Sequence, residues 1–246
     1  MTFDFTVFYE ALVSHAFMRG ALITLTLAVV AHITAILMGF PLAIAGLSEV
    51  RLLRWAAASY IWLFRGAPTL LQLLFVWNAL PQLFPALRAD WFSPFLAAWL
   101  ALSLNEAAYQ AEITRSALSS VDVGQRLASL SIGMTRWQAF RYVTLPQALR
   151  VGIPPTGNEF ITLLKVTSLA SVISLQELLA VTSQSIAVTY KYMELYAAAL
   201  VYYMAAVSVL MVIQHRVETA LNWMKRGESA TARHVTGKVA TVGERR

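Results

Sequence analysis

Apolar residues run along this chain in blocks too long for the strands or helices of a soluble core. Residues 20–48, 66–87 and 195–215 contain no Asp, Glu, Lys or Arg. Two further blocks carry one charge each, Glu106 within 91–111 and Lys165 within 160–176. A hydrocarbon layer about 30 Å thick is crossed by about 20 apolar residues in a helix. The pattern therefore predicts an all-α polytopic membrane protein with five spans, over about 20–47, 66–87, 91–113, 157–179 and 193–215. Residues 1–19 precede the first span, a polar loop of about 119–150 separates the third from the fourth, and 216–246 form a tail. That tail is polar and lacks an apolar period, so it is expected to be disordered.

Composition agrees with this class. The chain of 246 residues is 58% hydrophobic and 13% charged, with mean hydropathy +0.61. Placing the N-terminus outside puts 15 of the 19 Lys and Arg residues on the cytoplasmic side, from Arg51 to Arg150 and along the tail, leaving only Arg19, Arg88 and Lys191 outside. The positive-inside rule then gives an N-out, C-in topology. The same asymmetry accounts for the basic pI near 9.8, so no nucleic-acid partner is expected. Residues 1–18 hold Asp4 and Glu10 but no Lys or Arg, and so lack the basic start of a cleaved signal peptide. With no cysteine and four scattered histidines, neither thiolate chemistry nor a metal site is expected.

The loop between the third and fourth blocks carries its own start and stop signals. Asp122 with Gln125 has the spacing of an N-cap and its partner, and Gly133 suits a left-handed helix terminus. Thr135 and Gln138 then have capping-box spacing for a second helix, which Pro146 is expected to stop. Leu127 and Leu130 share a face of the first helix, Trp137 and Phe140 a face of the second. From Arg126 to Arg150 all charges are positive. Such a basic element with apolar anchors suits a helix-in-groove contact with a protein; a hairpin lying on anionic lipid is the other reading of the same residues.

Ala128, Gly133, Val143, Leu145 and Pro146 match the spacing of the cytoplasmic signature Glu-Ala-Ala, three residues, Gly, nine residues, Ile-x-Leu-Pro. Further blocks follow the same order along the chain: Leu63-Phe64-Arg65-Gly66-Ala67-Pro68-Thr69, Ala108-Tyr109-Gln110-Ala111-Glu112-Ile113, Thr144 to Arg150, Gly157-Asn158-Glu159, and Leu164 to Leu169. In these residues the chain resembles the polar amino acid (His/Glu/Gln/Arg/opine) permeases of ATP-binding-cassette importers, over about residues 20–215. The resemblance implies a transmembrane permease subunit that translocates a polar amino acid or related compound. It implies partners too: ATP-binding-cassette ATPase subunits, a second permease subunit, an extracytoplasmic solute-binding protein and the lipid bilayer. It assigns coupling to the ATPase to Gln125, Ala128, Gly133, Trp137, Phe140, Leu145 and Pro146. Leu127 and Ser129 depart from the signature Glu and Ala, a relaxation that hints at a heterodimer, with a homodimer as the alternative. No cofactor is expected on the chain itself. The nearest approach to a phosphate-binding loop, Gly152 to Gly157, is followed by Asn158-Glu159 instead of Lys-Ser/Thr, so ATP belongs to a separate subunit and this chain is not expected to be an enzyme.

Charges at membrane depth cost about 2.5–3.5 kcal/mol each on insertion scales, so they face a cavity or a partner. Counting about 1.5 Å per residue from the midplane, Glu106 and Lys165 both fall about three residues to the cytoplasmic side. The expected pathway comprises Glu106, Lys165, Thr167 and Ser168, with Glu106 either paired to Lys165 or facing the solute's cationic group. His32 is expected to be a helix-packing hydrogen-bonder, Pro154-Pro155 to begin the fourth helix, and Glu159 and Glu177 to be solvated near helix ends. An ion-coupled secondary transporter would be expected to show inverted repeats, and an intramembrane enzyme a nucleophile or metal constellation. The sequence displays neither.

Overall fold

The computed structural model describes residues 3–243, with side chains through Ala220. Among the described residues there are helices and no strands. Helix α1 spans Phe5–Val13, capped by Asp4, whose carboxylate accepts from the amides of Thr6 and Val7. Ser14 ends it and caps α2, His15–Gly46. Helix α3, Arg51–Gly66, is amphipathic: only Ala57 is buried, while Leu52, Trp55 and Trp62 are exposed. Pro68 disfavours a helical conformation at the residue before it, and the chain breaks there. Helix α4 covers 69–83, with a wide π-turn at Phe75–Ala79.

Helix α5, Pro94–Ser119, starts at Ser93, whose hydroxyl accepts from the Leu96 amide. It packs along α2 through small residues, Ala97, Ala98, Ala101, Ala107, Ala108 and Ala111 facing Ala28, Ala31, Ala35, Gly39 and Ala43. Small side chains let helix backbones approach closely in a lipid environment. The contact is tightest at Gly39, where a Cβ would lie 2.8 Å from Gln110 Cβ and 2.9 Å from Ala111 N. Leu27, Leu73, Leu102, Leu163 and Ile173 gather around this pair into the main apolar core.

Helix α6, Val123–Ser131, and the helical run α7, Arg136–Ile173, follow. Several expectations change here. Pro146 does not stop the second loop helix: a π-turn at Ala139–Thr144 precedes it and places it in the first turn of Leu145–Val166, where a missing amide costs little. Pro154 and Pro155 lie inside that helix instead of starting it. The run ends at Ile173 and a left-handed Ser174, short of the expected 179. Helix α8, Leu178–Thr189, then departs at 50°. Its N-cap is Glu177, fully buried and not solvated as expected. The Ala180 amide at 2.8 Å, Tyr203 Oη at 3.2 Å and Thr24 Oγ1 at 3.3 Å all donate to its carboxylate, which repays the burial.

Helix α9 spans Tyr192–Gly243. The tail expected to be disordered is thus helical to Gly243; its last three residues lie outside the described ones. The chain divides into two compact units, 1–208 and 209–246. Among the described residues two helices, His15–Gly46 and Tyr192–Ala220, are by themselves long and apolar enough to cross a membrane, and the bent α7–α8 pair counts as a third only as one broken span. Helix α5 is less apolar than its window promised because it buries Asn105, Glu106 and Gln110.

Candidate functional site

Those three polar residues open the route to the candidate site. Asn105 Nδ2 donates to the Phe64 carbonyl at 2.8 Å and to Gln72 Oε1 at 3.2 Å. Gln72 Nε2 in turn donates to the carbonyls of Phe64 and Ala67, both at 2.9 Å. The broken joint between α3 and α4 is thereby pinned to α5, and its freed backbone carbonyls are satisfied. One turn along, Gln110 Nε2 donates to Glu106 Oε1 at 2.8 Å, and Thr156 Oγ1 of α7 donates to Gln110 Oε1 at 3.2 Å.

Glu106 is 4% exposed. His32 of α2 places Nδ1 3.4 Å from its Oε1, within ion-pair distance. The angle makes no hydrogen bond, so Nδ1 is a buried nitrogen without a hydrogen-bond partner. Beside this cluster lies a cavity of about 130 Å³, lined by Thr69, Asn105, Glu106, Tyr109, Glu159, Thr162, Leu163 and Val166. Two carboxylates face one small space, while the Arg65 guanidinium sits over the Tyr109 ring, 5.2 Å from its centroid. At the end of α5, Arg115 Nε donates to Glu112 Oε2 at 3.0 Å, and that carboxylate pushes the Arg115 guanidinium further up from its already basic value.

Of the residues expected on the pathway, the structure brings only Glu106 to the cavity. Lys165 is exposed and forms no ion pair among the described residues. Thr167 is buried and its hydroxyl donates to the Leu164 carbonyl at 2.7 Å; Ser168 donates to the Lys165 carbonyl at 2.8 Å. Residue counting gives depth along a helix but not the face, and Lys165 lies on an exposed face. His32, Gln110, Tyr109, Thr156 and Glu159 are the cluster members that the charge pattern alone passed over. Gln110 was findable, since it stands one turn after Glu106 on the same face.

The loop that follows α5 is built as its caps suggest. Asp122 accepts from the Gly124 amide at 2.6 Å, and Thr135 and Gln138 form both bonds of a capping box. Gly133 has φ +88°, with its amide bonded to the Leu130 carbonyl and the Met134 amide to the Ser129 carbonyl. That is the Schellman arrangement, which favours glycine at this left-handed position. Gln125 and Ala128 are exposed on α6, Trp137 is 68% exposed, and its ring stacks on half-buried Phe140 at 5.8 Å. Leu127 and Ile132 are also exposed. Leu145 and Pro146 sit further along α7, so the loop's second helix continues without a break toward Thr156 and Glu159.

Comparison with known proteins places this architecture. The family described as binding-protein-dependent transport system inner membrane component matches residues 33–223. The chain is 43% identical over 200 residues to the probable amino-acid permease protein YxeN of Bacillus subtilis, covering 81% of this chain and 88% of that one. It is 36% identical over 218 residues to the glutamine transport system permease protein GlnP of Escherichia coli K12, covering 89% and 97%. A crystal structure of an amino acid ABC transporter with histidines superposes with TM-score 0.79 at 36% identity, over 89% of this chain and 100% of that one. The MetNI methionine ABC transporter superposes with TM-score 0.70 at 21% identity, over 83% and 95%, a likeness of fold. The chain therefore belongs to the inner-membrane components of binding-protein-dependent transport systems, as a permease subunit of an ABC importer.

Proposed function

We propose that this permease carries a polar amino acid, with preference for a cationic side chain, through the cavity beside Glu106. The observation that supports it is the pairing of two carboxylates, Glu106 and Glu159, on one small polar space otherwise lined by Thr69, Asn105, Tyr109 and Thr162. Glu106 Oε1 is engaged by Gln110, whereas no described hydrogen bond reaches Oε2, which leaves an acceptor for an ammonium or guanidinium group. A carboxylate held inside a membrane helix carries an insertion cost that a functional partner would offset. Relatives named for glutamine, octopine and arginine transport point to the same solute class.

In this reading the chain crosses the membrane five times with its N-terminus outside, and a second permease subunit completes the route. Trp137, Phe140 and the exposed faces of Gln125, Ala128 and Leu127 dock an ATPase subunit, which binds the ATP. The Schellman turn at Gly133 fixes the angle between α6 and α7, and α7 then acts as a lever ending at the cavity. Docking transmits work only if the ATPase contacts differ in free energy between the two transport states. A binding protein delivers the solute from outside. ATP-driven uptake by the reconstituted complex tests the reading: Glu106→Gln should reduce arginine uptake several-fold more than glutamine uptake. Equal loss for both would reject a direct role for Glu106 in the solute's path.

A further inference from the structure

Arg19, Arg88 and Lys191 are the basic residues on the outer side of the proposed topology. Two of them are engaged within the chain: Lys191 Nζ donates to the Asp4 carboxylate at 3.1 Å, and Arg88 Nε to the Pro81 carbonyl at 2.9 Å. Arg19 is exposed and has no hydrogen bond or ion pair among the described residues. It stands on the first turns of α2, where it lines a cavity of about 410 Å³ between α2 and α8.

Gly20 brings the two helices together here, since a Cβ at that position would stand 3.0 Å from Leu178 Cα. The cavity beside the contact has a polar lining: His15 and Arg19 from α2, Gln184 and Ser185 from α8, and Gln176 from the turn before α8. Gln176 Nε2 reaches the Ser174 carbonyl at 3.3 Å and Ser185 Oγ the Val181 carbonyl at 2.9 Å. The Gln184 carboxamide has no partner among the described residues. Such a set of polar groups is costly against hydrocarbon, so the cavity faces water or a ligand. No Asp or Glu lines it. Its volume falls among those of small-ligand sites, about 300–1,000 Å³. A free guanidinium pairs with a carboxylate through two parallel hydrogen bonds, and carboxamides add further donors. The cavity beside Glu106 has the opposite lining, two carboxylates and no Lys or Arg. At about 1.5 Å per residue, Arg19 lies about 20 Å along α2 from His32, the neighbour of Glu106.

We propose that the groove between α2 and α8 is an outer binding site for the α-carboxylate of the amino acid, held by Arg19 with Gln176 and Gln184 before the solute reaches Glu106. Every α-amino acid carries that group, so the groove accepts neutral and cationic solutes alike and leaves the choice between them to the deeper carboxylates. The inference rests on the amino acid solute and the outside N-terminus proposed above.

Ala16 is exposed and lines the groove without being a proposed ligand, so Ala16→Cys places a single thiol there in a chain that has no cysteine. The full complex is reconstituted in right-side-out vesicles, and a membrane-impermeant thiol reagent is added outside, without ATP or binding protein. Arginine and glutamine should both slow the modification several-fold, whereas agmatine, which is arginine without its carboxylate, should not. Adding Arg19→Gln should raise the half-protecting concentration of arginine by about tenfold or more, with Arg19→Lys in between. Equal protection by agmatine, no protection by either amino acid, or protection unchanged in Arg19→Gln would overturn the proposal. So would protection by unloaded binding protein but by neither amino acid, which would assign the groove to a carboxylate of that partner. The readings above fail separately. A thiol that reacts only with reagent inside the vesicles contradicts the outside N-terminus and the groove together. Protection by arginine and glutamine that persists while Glu106→Gln leaves the arginine-to-glutamine uptake ratio unchanged keeps the groove and rejects only the role of Glu106.

Discussion

Replacing Gly39 with alanine adds one methyl group at the closest approach of α2 and α5. The new Cβ would stand 2.8 Å from Gln110 Cβ, 2.9 Å from Ala111 N and 3.1 Å from Ala107 O. Carbon contacts are relaxed at about 3.5–4.0 Å, and two of these three neighbours are backbone atoms that no rotamer change can move. The helices must part by roughly 1 Å, and overpacking of this kind costs about 1–3 kcal/mol. At about 2–4 °C per kcal/mol for a domain of this size, the apparent melting temperature of the purified complex should fall by about 5 °C. Gln110 carries the displacement to the site, since it holds Glu106 by its 2.8 Å hydrogen bond. The apparent affinity for solute should therefore weaken together with stability. Gly66→Ala is the control, because nothing lies within 4 Å of a Cβ built there. A Gly39→Ala complex that melts and transports like Gly66→Ala would refute the close-packing argument.

Three further outcomes are expected. Glu177→Leu should destabilise the complex by about 2–4 kcal/mol, because the Ala180 amide and Tyr203 hydroxyl lose their acceptor in a buried setting; Glu177→Gln, which keeps one acceptor oxygen, should cost less, and thermal unfolding would show the order. Trp137→Ala should leave the permease folded but weaken ATPase binding by about tenfold or more in a pull-down titration, since exposed aromatic anchors dominate such interfaces. Near the N-terminus, the hydrogen bond from Lys191 Nζ at 3.1 Å holds the Asp4 carboxyl below its ordinary range. A depressed carboxyl stabilises the fold above its unfolded value of 3.8, and that contribution is lost as pH falls through the lower folded value. Asp4→Asn should accordingly speed hydrogen exchange in α1 at neutral pH, and the difference from wild type should vanish at strongly acid pH.

Local signals in the sequence were sufficient where the structure is local. Thr135 with Gln138, Gly133 with Leu130, and Met134 with Ser129 satisfy one another within six residues, so the loop's two helices and their turn could be read directly. The all-helical class followed from the charge-free blocks. Features made by distant partners could not be read. Glu177 is buried because Thr24, 153 residues away, and Tyr203 supply donors. His32 meets Glu106 only because Gly39 and the alanines let α2 and α5 approach closely. Counting along helices gives Lys165 a depth but says nothing about azimuth, and it sits on an exposed face. Pro146, Pro154 and Pro155 looked like helix boundaries, yet the π-turn before Pro146 and the continuous α7 keep them within one helical run.

The chain contains no cysteine, so a single introduced thiol reports on one place. Thr162 lines the cavity and its hydroxyl bonds only the Asn158 carbonyl at 3.1 Å, so Thr162→Cys disturbs little. The decisive measurement is the rate at which a small charged thiol reagent modifies Thr162→Cys in the reconstituted complex, with the loaded binding protein, with and without ATP. Solute passing beside Glu106 should slow modification during ATP-driven turnover, while leaving a cysteine at the exposed Glu49 position, in the turn between α2 and α3, unaffected. Equal modification of Thr162→Cys with and without transported solute would contradict the claim that the Glu106 cavity is the route.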